Sequence, residues 1–151
     1  MITDIRYLNP ATGEWESTPP EVNVGQMVGL AGYVENTTTD EITRKMDIQV
    51  TVPDGSVLTY EGDALTITPG YMGVWQFTWT CDEAGSYTGV LKEYEDSTEI
   101  DTWGPGLVAT AEAVPASIAD WLPGIIVPIA AVALLGAVLI PKIAKLLKEK
   151  F

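Results

Sequence analysis

Residues 73–81 read GVWQFTWTC, and their alternation decides the fold. Trp75, Phe77, Trp79 and Cys81 share one face of an extended chain, while Gln76, Thr78 and Thr80 share the other. A helix would scatter these residues around its axis, whereas a half-buried strand separates them cleanly. The same two-residue period recurs on both sides of this stretch. TDIRYL (3–8) reads as a first strand. QMVGLAGYVEN (26–36) places Val28, Leu30 and Gly32 together, and MDIQVTV (46–52), SVLTYEG (56–62) and ALTIT (64–68) follow. SYTGVLKEYE (86–95) and GLVATAEAV (106–114) complete the set. NPATGEW (9–15), PDG (53–55) and Pro69-Gly70 read as turns, and STPPEVNVG (17–25) as a proline-bearing edge or linker. Roughly seven to nine short strands at spacings near ten residues, with no helical period before residue 115, predict an all-β antiparallel sandwich over residues 1–113.

Composition narrows the chemistry. The chain has 151 residues, one cysteine, no histidine and a formal net charge of −13. A single cysteine allows no internal disulfide, so the core alone must hold the domain. Without histidine there is no Ser-His-Asp or Cys-His catalysis, no His-ligated zinc and no His₂Cys copper site, which excludes a cupredoxin. The charge is unevenly spread. Every acidic residue but Glu149 precedes residue 121, where only Arg6, Arg44, Lys45 and Lys92 oppose them. Such a surface has too few cations to displace phosphate counterions, so no nucleic acid is expected to bind it. It suits solubility, cation binding or a salty medium.

From Trp121 to Pro141 no residue is charged, and Lys142, Lys145, Lys148 and Lys150 follow. A helix of that length spans roughly 30 Å, the thickness of a bilayer core. The pattern predicts a single C-terminal transmembrane α-helix over residues 121–141, reached by a short linker over 114–120. Trp121 sits at one interface, and Lys142 and Lys145 at the cytoplasmic or interior one. Ala130, Ala133, Gly136 and Ala137 offer a small-residue face for helix association. Residues 142–151, KIAKLLKEKF, read as a basic amphipathic tail in the headgroup layer.

EVNVGQMVGLAGYVENTT (21–38) resembles the opening of the immunoglobulin-like modules of bacterial and archaeal surface proteins, among them the cell-adhesion-related domain family. WQFTWTCDEAGSYTGVL (75–91) is similar to their second half, where an aromatic strand meets an Asp-x-x-Gly-x-Tyr turn, here Asp82, Gly85 and Tyr87. Many sandwiches tie this corner back through such a tyrosine. The resemblance implies an immunoglobulin-like, extracytoplasmic structural or adhesive module, without catalytic residues.

Individual residues admit sharper readings. The alternation predicts that Cys81 is buried as a small hydrophobe rather than exposed as a reactive thiol. Trp75 and Trp79 could stack on a sugar, but they share a face with Phe77 and read as core. EYEDSTEIDTW (93–103) crowds oxygen donors, and Glu95, Asp96, Glu99 and Asp101 are candidates for calcium, a hard cation taking six to eight oxygens. Their spacing matches no defined calcium loop, and the run reads as a solvated acidic loop. Carboxylates here could in principle cleave glycosidic bonds, yet nothing sets two of them across a cleft. Asn36-Thr37-Thr38 fits the N-glycosylation pattern in what reads as an accessible loop.

A structural, non-enzymatic role follows as the expectation, with no cofactor. The acidic domain stands outside a cell envelope (a surface layer, or S-layer) or a membrane-containing virion. The lysine tail lies inside, the bilayer is one partner, and the others are copies of the chain or other membrane or coat proteins. Two alternatives stand beside it: an accessory single-span subunit of a membrane complex, and an adhesin or receptor binding a ligand through its loops. MITDIRYLNPATGEWE has neither a basic start nor an apolar core, so it does not read as a signal peptide. A leader removed before Met1, targeting by the anchor itself, and insertion as a virion protein all remain open.

Overall fold

The alternation around Trp75 becomes a nine-residue strand whose core face is closed and whose other face is open. A computed structural model describes residues 1–114, and these form ten strands. They are β1 (Ile2–Asn9), β2 (Glu14–Glu16), β3 (Glu21–Asn23), β4 (Met27–Glu35), β5 (Ile42–Thr51), β6 (Val57–Glu61), β7 (Leu65–Ile67), β8 (Met72–Thr80), β9 (Gly85–Glu95) and β10 (Thr98–Glu112).

Two sheets form a β-sandwich. One has the order β2-β1-β4-β8 and the other β3-β10-β9-β5-β6, with β7 also pairing to β5. The pairs are antiparallel except β3 with β10, which run parallel. That pair departs from the antiparallel expectation: the proline-bearing stretch is an edge strand, laid beside the last strand of the sandwich. Two further differences concern strand extent. Glu14–Glu16 pairs back onto β1 rather than remaining in the turn. β10 begins at Thr98, inside the run read as a loop, because Asp96 and Ser97 form a tight turn that returns the chain onto β9. Asp96 adopts φ of 54°, a left-handed conformation that aspartate tolerates better than most residues.

The core lies between the sheets. Val28, Leu30 and Val34 of β4 and Trp75, Phe77 and Trp79 of β8 meet Met46, Ile48 and Val50 of β5, Tyr87 and Leu91 of β9, and Val108 of β10. Each large side chain so enclosed stabilises the fold by about 1.5–3 kcal/mol. Gly32 has a packing reason: a Cβ there would collide with Met46 Sδ and press on Leu91, so its absence lets Met46 reach across the core. Gly29, facing outward on the same strand, is covered by Trp15 of β2. β4 is therefore enclosed on both sides along much of its length.

Among the described residues no helix is long and apolar enough to cross a membrane. The anchor residues Trp121, Lys142 and Lys145, and the association face of Ala130, Ala133, Gly136 and Ala137, lie outside the described residues.

Candidate functional site

The acidic run contributes three carboxylates to one end of the sandwich. Alternation along β9 aims Tyr87, Gly89, Leu91 and then Glu93 at the core, and Glu93 is 0 % exposed. β5 places Met46 opposite Glu93, so Arg44, two residues earlier on the same face, lies beside it. Arg44 Nε is 3.2 Å from Glu93 Oε1, close enough for an ion pair but not aligned as a hydrogen bond. The amino group of Met1 is 2.8 Å from Glu93 Oε2. Arg44 Nη1 donates to Glu95 Oε1 at 2.7 Å. On β10, Asp101 Oδ2 accepts the backbone N–H of Ile2 at 2.8 Å. The two sheets are thus tied at this end through Met1 and Ile2 on one side and Glu93 and Asp101 on the other.

The calcium candidates are placed as follows. Glu95 ends β9 and is paired to Arg44, and Asp96 occupies the turn. Glu99 lies on β10, 3.3 Å from Lys92 Nζ, and accepts a hydrogen bond from Thr102 Oγ1 at 2.5 Å. The Thr102 hydroxyl, then Lys92, hold the Glu99 carboxyl below its ordinary pKa. Asp101 is bonded to backbone N–H groups of Ile2 and Thr102. The run is a β-hairpin rather than a solvated loop, and the register shift between Glu99 and Asp101 turns these two carboxylates to different neighbours. Among the described residues no three acidic or cysteine side chains gather around a common point.

Asn36 does not lie in an accessible loop. Its side chain is 0 % exposed. Nδ2 donates to the carbonyls of Asp40 and Ile67, each at 2.7 Å, and Oδ1 accepts from Thr38 N at 2.9 Å and Thr38 Oγ1 at 2.7 Å. Both amide protons are engaged, so a glycan on Nδ2 is incompatible with this geometry. Thr38, the third residue of the glycosylation pattern, is here a partner in a turn-closing network.

Cys81 is fully buried, and its thiol is pushed up to about 11, first by burial and then by the charge of Asp82. It remains protonated and unreactive near neutrality. Trp75 and Trp79 are core residues, as their shared face with Phe77 requires. Trp75 Nε1 donates to the Asp63 carbonyl at 2.8 Å, whereas Trp79 Nε1 has no hydrogen-bond partner among the described residues. Tyr87 is buried, and its hydroxyl accepts from Glu83 N at 3.0 Å and donates to Glu83 O at 2.9 Å. Burial raises its phenol above the ordinary value. This is the corner tie expected of Asp82, Gly85 and Tyr87.

The sequence reading missed the pairing of Arg44 with Glu93. Its signal was present: a glutamate that continues an inward-facing series needs a buried cation, and Arg44 shares the inward face of β5 with Ile42 and Met46. It also missed a groove of about 440 Å³ between β8 and the β6–β7 segment. Tyr60 and Leu65 stand on one wall, and Val74 to Thr78 on the other.

No family model matches the chain, and no curated protein matches it. Solved structures do. The C-terminal domain of wzt is similar at a TM-score of 0.54 and 14 % identity, over 74 % of this chain and 72 % of that one. A Bacteroides uniformis beta-glucuronidase gives 0.46 and 14 %, over 70 % of this chain but 12 % of the enzyme. A Listeria innocua beta-glucosidase gives 0.45 and 12 %, over 74 % of this chain and 16 % of the enzyme. At 14 % identity the likeness to the wzt domain is one of fold, an all-β sandwich-like domain. The two enzymes' activities belong to chains of which this one spans a small part.

Proposed function

We propose that this chain is a membrane-anchored structural protein. It presents an acidic, immunoglobulin-like sandwich on the outer surface of a cell envelope or a membrane-containing virion, in a multi-copy assembly. The observation that carries the reading is the charge polarity of the sequence: an acidic domain, an uncharged span from Trp121 to Pro141, then four lysines. The corner tie of Tyr87 to Glu83 supports the immunoglobulin-like assignment within the sandwich class. The ties made by Glu93, Asp101 and Asn36 support a structural rather than a catalytic role, since each group already answers a structural need.

The test uses the full chain in cell membranes. Alkaline carbonate should leave it with the bilayer. Protease added to intact vesicles from the outer side should remove the acidic domain and spare a fragment bearing the lysine tail. Cross-linking should give a ladder of copies. Extraction by carbonate would refute the anchor, and a monodisperse monomer in mild detergent would refute the assembly. Co-purification with unrelated membrane subunits would move the reading to an accessory subunit.

A further inference from the structure

We propose that β8 accepts an extended, lysine- or arginine-bearing segment of another polypeptide as an added strand, seated in the groove beside the β6–β7 segment. The sheet rims differ in length and charge. β2 and β3 have three residues each and carry Glu14, Glu16 and Glu21. β6 has five and ends in Glu61. β8 has nine, contains no charged residue and no proline, and pairs with β4 from Met72 to Thr80 without a register shift. Edge strands are ordinarily kept from further pairing by shortness, charge, proline or a bulge, and β8 uses none of these.

Only one side of β8 is paired. β4 takes its ladder on that side, and the main-chain groups on the other side of Val74 to Thr78 have no backbone partner among the described residues. These five residues line the groove, about 17 Å of strand. The facing wall is fixed rather than free. Trp75 Nε1 holds the Asp63 carbonyl at 2.8 Å, and Gly62 N donates to the Met46 carbonyl at 2.9 Å. A Cβ on Gly62 would strike Trp75 and the Met46 carbonyl, so this wall lies tight against the core.

Charge selects the occupant. Glu61 stands exposed on the wall, 3.5 Å from its cation Lys45, near the outer limit of an ion pair. Asp63 is exposed and forms no ion pair among the described residues. The chain as a whole carries −13, so the surrounding field favours a cationic strand. A second copy is disfavoured: joining two β8 edges about a twofold axis would bring Glu61 and Asp63 of both copies to one seam. In strand addition the main chain supplies affinity and alternate side chains supply selectivity. Here the selecting contacts are lysine or arginine with Glu61 and Asp63.

The experiment uses the full chain in mild detergent and three eight-residue peptides. One alternates valine and lysine, one alternates valine and glutamate, and one is the valine–lysine peptide N-methylated at alternate residues. Backbone hydrogen exchange is read by mass spectrometry. The valine–lysine peptide should slow exchange at residues 74–78 by roughly tenfold or more, as amides gaining ladder partners do. Its affinity should fall about threefold with Glu61→Gln and about threefold with Asp63→Asn, and fall further with added salt. Gln76→Lys, at an exposed position, should weaken binding while leaving tryptophan fluorescence unchanged. Failure of the valine–lysine peptide to bind, equal binding of the N-methylated or valine–glutamate peptide, or protection centred on another strand would each overturn the proposal. So would concentration-dependent protection of β8 without peptide, which would mark a second copy as the occupant.

Discussion

Replacing Arg44 with methionine tests the tie at the end of the sandwich. The substitution keeps an unbranched side chain of similar reach and removes the guanidinium. Glu93 is left 0 % exposed, with its Oε1 facing nothing and its Oε2 2.8 Å from the Met1 amino group. Removing one partner of a buried ion pair costs about 3–5 kcal/mol, since the other charge is stranded. The surviving ammonium, largely exposed, recovers part of this, so we expect about 3 kcal/mol. For a domain near this size that is a Tm drop of roughly 12 °C. The control is Arg44→Met combined with Glu93→Leu. Exchanging a whole buried pair for apolar residues is commonly neutral or stabilising by about 1–4 kcal/mol. The double variant should therefore be more stable than Arg44→Met alone, despite carrying an additional substitution. Urea unfolding of the full chain in mild detergent, followed by tryptophan fluorescence, measures all four corners of the cycle. A cost below about 1 kcal/mol for Arg44→Met, or a double variant no more stable than Arg44→Met, would refute the reasoning.

Three other perturbations follow from the same geometry. Burial raises the Cys81 thiol of the folded protein to about 11, above its ordinary value, so its contribution is fully present below about pH 9. Above pH 9 the unfolded thiol ionises first and stability falls until about pH 11, by about 2 kcal/mol; Cys81→Ala should flatten that part of the unfolding profile, and alkylation at pH 8 should follow the unfolding rate. Asn36→Ala strands the carbonyl of Ile67 and the N–H of Thr38, while the Thr38 hydroxyl still donates to the Asp40 carbonyl, and should cost about 2 kcal/mol by urea titration; peptide mass analysis of folded protein should find Asn36 unmodified. Tyr87→Phe keeps the ring in the core and removes both bonds to Glu83, for a loss of about 2 kcal/mol with early fraying of residues 82–86 in hydrogen exchange.

Much of the sandwich was legible because one period governs both its local and its global structure. The face of Trp75, Phe77 and Trp79 becomes the core face, and Tyr87 occupies the corner its spacing implied. What escaped depended on partners distant in sequence. Glu14–Glu16 has no strand period of its own and is extended because β1 pairs with it. Asn36 is polar and turn-like, which reads as exposure; its burial depends on carbonyls that include one 31 residues away. The acidic run carries few apolar residues, and its strand character comes from the ladder with β9 and the turn at Asp96. The groove beside β8 is a property of sheet order, which alternation alone does not contain.

The acidic hairpin shows why crowded carboxylates are a weak sign of a metal site. A calcium ion held by Glu95, Glu99 and Asp101 would have to displace Arg44 at 2.7 Å, Lys92 at 3.3 Å and the N–H of Ile2 at 2.8 Å. Three adjacent oxygens in sequence become a ligand set only in a loop that turns them toward a common centre. Glu95 ends β9, and on β10 the register shift between Glu99 and Asp101 breaks the alternation that would set those two on one face, so the three reach different neighbours. The negative charge left exposed elsewhere is a different matter. Glu61 and Asp63 line the groove on one wall, Glu61 3.5 Å from Lys45, and the strand opposite has main-chain groups with no backbone partner among the described residues. Glu93, Glu95 and Asp101 are engaged within the fold, whereas Asp63 beside β8 forms no ion pair among the described residues and is left to attract a cationic partner.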